Sequence, residues 1–412
     1  MYISEFITIG RDGDFYKIYV PTYNSIVLVS ERMYAMLTNL ILKYGTEEID
    51  DSDKDFCAVE SAQGYSVLVK HNVITKHLGG LEERYRSFTP KLTTVYLHVT
   101  QECNLRCTYC YAKHNLGKNM MMSFLSATQY ISQLYEKGVR NFVITGGEPL
   151  LNKDIEGIID TIRSKNNTRV ELLSNGTLLD DNYAILEKID SCIISLDVGN
   201  SEHRRGISAN EILYSLSKLP SNIKKKTSVR SVISKGEELL LPEMRGKIES
   251  LGLRYITIPR LPNCADDLTE FPDVELIDSP AELIDTLTMV RCGAATSILS
   301  IDWNGDVYPC QNLMHSEHFI TNLNSHAWYE ELTSCELRQT LNNAHVLNIE
   351  KCKNCSVRFV CGGGCRALSY NVYRNYDHCL EFYCDHFKRY AMDKLNRITY
   401  KYDEQSSDVI SR

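Results

Sequence analysis

The chain has 412 residues, enough for two or three domains, and its 43% hydrophobic and 24% charged content is that of a globular protein. A net charge of -8, with Lys224-Lys225-Lys226 as its one dense basic run, excludes the strongly basic surface of a nucleic-acid binder. No apolar run is long enough to span a bilayer, and the opening MYISEFITIGRDGD lacks the basic and apolar regions of a signal peptide, so a cytoplasmic chain without a membrane partner is expected. Fifteen cysteines are then unusual, because thiols clustered in a reducing compartment more often bind metal or do chemistry than form disulfides. Ten of the fifteen fall between Cys264 and Cys384.

Residues 1–82 read as a small separate module. Ile3–Ile9 and Tyr16–Val20 alternate like hairpin arms across GRDGD, and Ser25–Val29 adds a third strand. Ser30 caps a helix over Glu31–Tyr44, with Met33, Leu37, Leu40 and Ile41 on one face. A helix around Asp55–Ala62 and a segment near Tyr65–Ile74 complete the unit, and the polar residues 83–91 form a linker. From Leu92, strand and helix patterns alternate six times. The strands are Thr93–Val99, Asn141–Thr145, Thr168–Ser174, Cys192–Val198, Thr227–Ser234 and Arg254–Pro259. Helical stretches at Ser123–Lys137, Asp154–Ser164, Asp181–Lys188, Ala209–Leu219 and Glu237–Leu251 lie between them. This order predicts an α/β fold over residues 92–290, a partial (β/α)6 TIM-like barrel with parallel strands and its site at their carboxyl ends. Residues 291–390 lose the periodicity and gain Cys and Gly, while 391–412 start helical and end in polar EQSSDVISR, expected to be a loose tail.

The first barrel strand runs into TQECNLRCTYCYAK, where Cys103, Cys107 and Cys110 make a C-x3-C-x2-C run. Thiolates at that spacing hold three irons of a cubane, and since such clusters normally take four Cys, one iron is left for a ligand the protein does not supply. Zinc knots instead favour paired C-x2-C units closing on four ligands. The second strand ends in TGGEPLL: Gly146 and Gly147 permit close backbone approach to a ligand, Glu148 offers a carboxylate to an amine, and Pro149 follows. The third ends in Ser174-Asn175-Gly176, and ISLDV on the fourth places Ser195 and Asp197 two residues apart on one side, with His203, Arg204 and Arg205 on the next loop.

This set of motifs resembles the radical S-adenosylmethionine (SAM) superfamily. The resemblance implies a catalytic [4Fe–4S] cluster on Cys103, Cys107 and Cys110, with SAM chelating the open iron. It implies that the Gly146-Gly147-Glu148 segment binds the methionine amine and that Tyr109 lies beside the adenine. Ser174, Asn175, Ser195 and Asp197 would bond the ribose and carboxylate, Arg205 would pair the carboxylate, and Ile258 and Pro259 would floor the adenine. One-electron cleavage of SAM would yield a 5′-deoxyadenosyl radical that takes hydrogen from a C–H bond.

Farther on, Cys292, Gly305 and Cys310 form C-x12-G-x4-C, and Cys352, Cys355, Cys361 and Cys365 form C-x2-C-x5-C-x3-C, with Cys379 and Cys384 beyond. This resembles the SPASM domain and implies two auxiliary [4Fe–4S] clusters. Cys292, Cys310 and Cys365 would ligate the inner one; Cys352, Cys355 and Cys361, with Cys384 or Cys379, would ligate the outer. No Cys shortly follows Cys292, so Cys335, Cys379 or nothing takes the fourth inner position, and an empty position would admit a substrate thiolate. Cys352-x2-Cys355 alone would also suit zinc. Cys57, Cys192 and Cys264 read as buried or incidental.

The N-terminal module resembles the winged-helix domain that recognises leader peptides, a fold able to take a peptide as an added strand. Together the three parts imply a maturase of ribosomally synthesised precursor peptides, served by a flavodoxin- or ferredoxin-type electron donor. A thioether crosslink from Cys sulfur to carbon, of the sactipeptide type, is the expected product. The alternatives are carbon–carbon crosslinking, formylglycine generation of the anaerobic sulfatase-maturing type, and a non-catalytic iron–sulfur electron carrier or redox sensor. The last would have no use for GGEP or the Ser195/Asp197 pair.

Overall fold

The computed structural model describes the chain except residues 22, 24, 77–90, 111, 113–115, 118, 200–204, 261–290, 380, 397–408 and 412. The expected 83–91 linker, His203, Arg204 and Cys264 therefore lie almost wholly or wholly outside the described residues.

The N-terminal module holds β1 (Tyr2–Ile3), β2 (Ile7–Asp12), β3 (Phe15–Val20), β4 (Ser25–Ser30), α1 (Glu31–Tyr44), α2 (Lys54–Glu60), α3 (Tyr65–Lys70) and β5 (Ile74–Thr75). Ser30 caps α1 as its sequence predicts, its side chain accepting from the Met33 amide. Strands β2, β3 and β4 pair antiparallel in that order, and β1 pairs with β5. One face of the three-stranded sheet buries Ile18, Val20, Val27 and Val29 against Met33, Leu37 and Leu40 of α1. The other face is also covered, which explains why IVLV in β4 is a continuous apolar run and not an alternating one.

The barrel runs β6 (Thr94–Thr100), α4 (Phe124–Glu136), β7 (Asn141–Gly146), α5 (Ile155–Arg163), β8 (Arg169–Ser174), α6 (Tyr183–Lys188) and β9 (Ser191–Ser195). It continues with α7 (Ala209–Ser217), α8 (Ser221–Lys224), β10 (Thr227–Ile233), α9 (Leu241–Ser250) and β11 (Arg254–Pro259). All six strands are parallel, in spatial order β11-β10-β9-β8-β7-β6. Val95, Leu97 and Val99 of β6 alternate outward into a core with Ile131, Leu134, Ile158, Ile159 and Ile162 of the helices. Burying each such side chain contributes about 1.5–3 kcal/mol, so this layer holds the strand ends at fixed height. Tyr96 and His98 alternate to the opposite face; His98 is fully buried, and burial drives its pKa down to about 3, so it stays neutral.

Beyond the six expected barrel strands, β12 (Ile298–Ile301) pairs parallel with β6, and β13 (Asp306–Tyr308) and β14 (Thr321–Asn322) extend the same sheet to nine strands among the described residues. The apolar ILSI run covers the polar edge that β6 would otherwise expose. Two expectations need correction. First, β9 ends at Ser195, so Asp197 lies on the loop beyond it and not on the strand.

Second, residues 391–396 and 409–411 of the expected tail take regular structure. After α10 (Trp328–Ser334), α11 (Glu336–Asn343), α12 (Arg358–Cys361), α13 (Arg366–Tyr373) and α14 (Glu381–Asn396) comes β15 (Val409–Ser411), which pairs antiparallel with β4. Ala391 and Leu395 of α14 join Val357 and Val360 in covering Ile9, Tyr19, Ile26 and Leu28 on the second face of the N-terminal sheet. The module is thus packed against the Cys-rich region.

Candidate active site

The loop after β6 is built by backbone bonds. Gln101 N–H donates to the Met120 carbonyl at 2.8 Å, the Thr100 hydroxyl accepts from Glu102 N–H at 2.9 Å, and Cys110 N–H reaches the Cys107 carbonyl at 3.3 Å. The Cys103 thiol accepts from Leu105 N–H at 3.4 Å and from the Asn175 amide at 3.8 Å. Burial pushes the Cys103 and Cys107 thiols above their ordinary pKa.

Gly146 and Gly147 serve this loop directly. Gly147 N–H donates to the Thr100 carbonyl at 2.7 Å and Glu148 N–H to the Glu102 carbonyl at 2.8 Å. A Cβ on Gly146, whose φ is +139°, would stand 2.1 Å from the Thr100 carbonyl oxygen; one on Gly147 would stand 2.2 Å from that of Glu102. The close approach that requires glycine is therefore made to the cysteine loop's own backbone. Pro149 is buried at the start of a short 3-10 turn behind Glu148.

Glu148 is fully buried and accepts from Leu150 N–H (3.1 Å), the Ser174 hydroxyl (2.9 Å) and Asn175 N–H (2.7 Å). Burial outweighs these bonds and the nearby Arg205, raising its pKa to about 7. Asn175 also donates to the Asn104 side-chain oxygen at 2.8 Å and accepts from Thr177, so the ends of β7 and β8 are laced to the cysteine loop.

On the loop after the fourth strand, Asp197 is buried and accepts the Tyr109 hydroxyl at 2.5 Å. Burial first, then the Asp197 charge, pushes the Tyr109 hydroxyl pKa up, so it stays protonated. The Arg205 guanidinium, also buried, donates to the carbonyls of Ser195 (2.6 Å) and Asn175 (3.1 Å) and hydrogen-bonds Cys107. Its Nε has no partner among the described residues, leaving one donor for an acidic ligand. Tyr109, Gly146, Gly147, Glu148, Pro149, Ser174, Asn175, Asp197 and Arg205 thus lie in or against one network at the strand ends, Ser195 entering it through its carbonyl, while Ile258 and Pro259 stand apart at the end of β11.

The far cysteines form two groups. Cys292, Cys310 and Cys365 pack with Ala294, Ala295, Leu313 and Ala367, with Tyr376 against them. Burial and their mutual proximity push the Cys310 thiol well up, and Cys365 up to about 11. Neither candidate for a fourth inner position joins them: the Cys335 thiol caps α11 by accepting from Arg338 N–H at 3.3 Å, and Cys379 belongs to the other group. That group is Cys352, Cys355, Cys361, Cys379 and Cys384, lining a cleft of about 520 Å³. Cys379 and Cys384 lie 2.7 Å apart at sulfur, so both candidates for the outer fourth position are present. Cys57 is exposed and Cys192 buried, away from either role.

Two functional features escaped the sequence. The Gln101 amide donates to Asp302 at 2.5 Å across 201 residues, tying the cysteine loop to the β12–β13 turn. Arg366 is fully buried, donating to the Gly363, Tyr376 and His378 carbonyls, and its charge acts on cysteines of both far groups. Its position right after Cys365 was a usable signal.

Each cysteine set is all thiol, the donor chemistry of iron–sulfur clusters. Among the described residues no three His, Cys, Asp or Glu side chains close on a single metal ion. The sequence matches the radical SAM superfamily over residues 97–239 and an iron–sulfur cluster-binding domain, SPASM, over 292–356. Residues 97–239 thus form a radical SAM domain and residues 292–356 lie in a SPASM domain. The protein is an enzyme that uses SAM, a [4Fe–4S] cluster and auxiliary iron–sulfur clusters.

An uncharacterized protein of Archaeoglobus fulgidus is 23% identical over 365 residues, 77% of this chain and 84% of that one. A probable GTP 3′,8-cyclase of Methanococcus vannielii is 32% identical over 128 residues, but the match spans 30% of this chain and 43% of the cyclase. Among solved structures, native anSMEcpe with bound AdoMet superposes with a TM-score of 0.59 at 18% identity, covering 74% of this chain and all of that one. Streptococcus suis SuiB bound to precursor peptide SuiA superposes at 0.54 and 14% identity, covering 92% of this chain and all of that one. These likenesses are of fold. No helix among the described residues is long and apolar enough to cross a membrane.

Proposed function

We propose that the enzyme modifies a ribosomally synthesised precursor peptide, joining a Cys sulfur to a carbon as a thioether. The observation that carries this is the inner cysteine group, a trio with both sequence candidates for a fourth ligand placed elsewhere. A cluster held there by three thiolates has a position suited to a substrate Cys. The packing of the N-terminal module onto α14 and the Val357–Val360 segment supports a peptide substrate, as does likeness over 92% of the chain to a protein solved with its precursor peptide.

In this reading SAM and its cluster supply the radical that takes hydrogen from the substrate. Cys103, Cys107 and Cys110 hold the cluster, while Gly146 and Gly147 set the loop's height. Glu148, Ser174 and Asn175 would serve the methionine end, and Arg205, whose Nε–H has no partner among the described residues, would donate to the carboxylate. Tyr109, held by Asp197, would lie beside the adenine. Cys352, Cys355 and Cys361, with Cys384 or Cys379, would hold an outer cluster that supplies redox capacity, with a flavodoxin- or ferredoxin-type protein as the electron donor. The work is done in the cytoplasm.

Formylglycine formation is the second reading, favoured by the superposition on anSMEcpe. The test is anaerobic reconstitution with SAM, reductant and a synthetic Cys-containing peptide. We expect 5′-deoxyadenosine and a product lighter by two hydrogens that resists thiol alkylation. An aldehyde trapped by hydroxylamine would favour the second reading. No 5′-deoxyadenosine at all would leave only an electron carrier.

A further inference from the structure

The three strands that the N-terminal module itself supplies leave two outer ones, β2 and β4, and they are built differently. β2 has a register break between Thr8 and Gly10, ends in Arg11 and Asp12, and lies against α14. A bulge, charges and a covering helix are the devices that blunt a sheet edge. β4 has none of them. It pairs with β3 in unbroken register from Phe15↔Ser30 to Val20↔Ser25, and Ile26, Val27, Leu28 and Val29 are buried. Its outer edge already holds a strand: Val409 pairs with Val29, Ile410 with Leu28 and Ser411 with Val27, antiparallel. α3 lies against that added strand, so β4 and α3 bound a slot one strand wide.

The occupant comes from the far end of the chain and is only three residues long, covering half of a six-residue edge. So short a pairing adds little stability and specifies its register weakly. An extended peptide offers the same backbone donors and acceptors and can pair along all of β4.

The peptide-binding edge is what the resemblance of this module already implies; we propose that Val409–Ser411 acts on it as a built-in competitor, which an incoming extended peptide must displace. The proposal rests on the peptide-modifying reading above and adds a threshold to it. Because the competitor is tethered, it acts at a high effective concentration. The apparent affinity for an external peptide falls by the fraction of chains whose slot is open. Only peptides that pair better than this three-residue strand are admitted.

The test uses three proteins: the full chain, a chain ending at Gln405, and the full chain carrying Ile410→Pro, which removes a backbone donor without shortening anything. The probe is a fluorescein-labelled synthetic peptide copying residues 406–412, SSDVISR. We expect both altered proteins to bind it about tenfold tighter than the full chain, the ratio for a slot closed nine-tenths of the time. Amide exchange at Val27–Val29 should quicken in the shortened chain and slow again when the probe is added. Equal affinity in all three, or unchanged exchange at those amides, overturns the proposal. SAM cleavage without peptide, measured in parallel, should be the same in all three. Its absence from all three would count against the enzyme reading and leave the binding result to be judged by itself.

Discussion

The barrel mouth and the Cys-rich region use the same residue in opposite ways. Cys103, Cys107 and Cys110 come from one loop of eight residues, shaped by main-chain bonds to the neighbouring strand ends. The inner trio draws Cys292, Cys310 and Cys365 from three distant places, and its geometry depends on how β12, β13 and α13 pack. A local loop can be damaged one residue at a time. A site assembled by topology fails only when its supports do, and it hides which cysteines are ligands.

The contrast is broken most severely by Cys103→Ala. We expect SAM cleavage to fall below detection and iron to drop by about one cluster in three, with the far clusters intact by electron paramagnetic resonance. Iron lost from all sites alike would mean that the loop is not an independent unit.

Tyr109→Phe is a milder cut, since it keeps the ring and removes only the bond to Asp197. SAM binding, measured by titration, should weaken about tenfold, the cost of one charge-assisted hydrogen bond to a buried carboxylate. Unchanged affinity would show that the hydroxyl positions nothing.

The pH dependence is subtler. Glu148 has a folded pKa raised to about 7 from an ordinary 4.5, so the folded chain binds the extra proton. Its contribution to stability is therefore fully present below pH 4.5 and is lost as pH rises through 7. Binding of a cationic amine runs the other way, strengthening as the carboxylate ionises. Both trends, followed by chemical denaturation and SAM titration, should flatten in Glu148→Gln.

Cys335→Ala should do least. Loss of the α11 cap costs about 1 kcal/mol, seen as a small shift of the denaturation midpoint, while iron content stays as before. A loss of iron would make Cys335 a ligand and close the inner site.

Much of this was legible in the residues themselves. The six barrel strands lie where the apolar runs predict, because a parallel strand buried on both faces leaves a compact apolar block between helical periods. The cluster loop was readable because thiol spacing is itself the chemistry. What the chain order could not express is contact across long separations. Tyr109 meets Asp197 88 residues on, Gln101 meets Asp302 201 residues on, and Val409–Ser411 returns to β4. Residue type and spacing determine what a segment can bind and how it folds locally. Which buried donor finds which acceptor, and which edge is closed by which strand, is decided only when the sheets pack and every backbone group needs a partner.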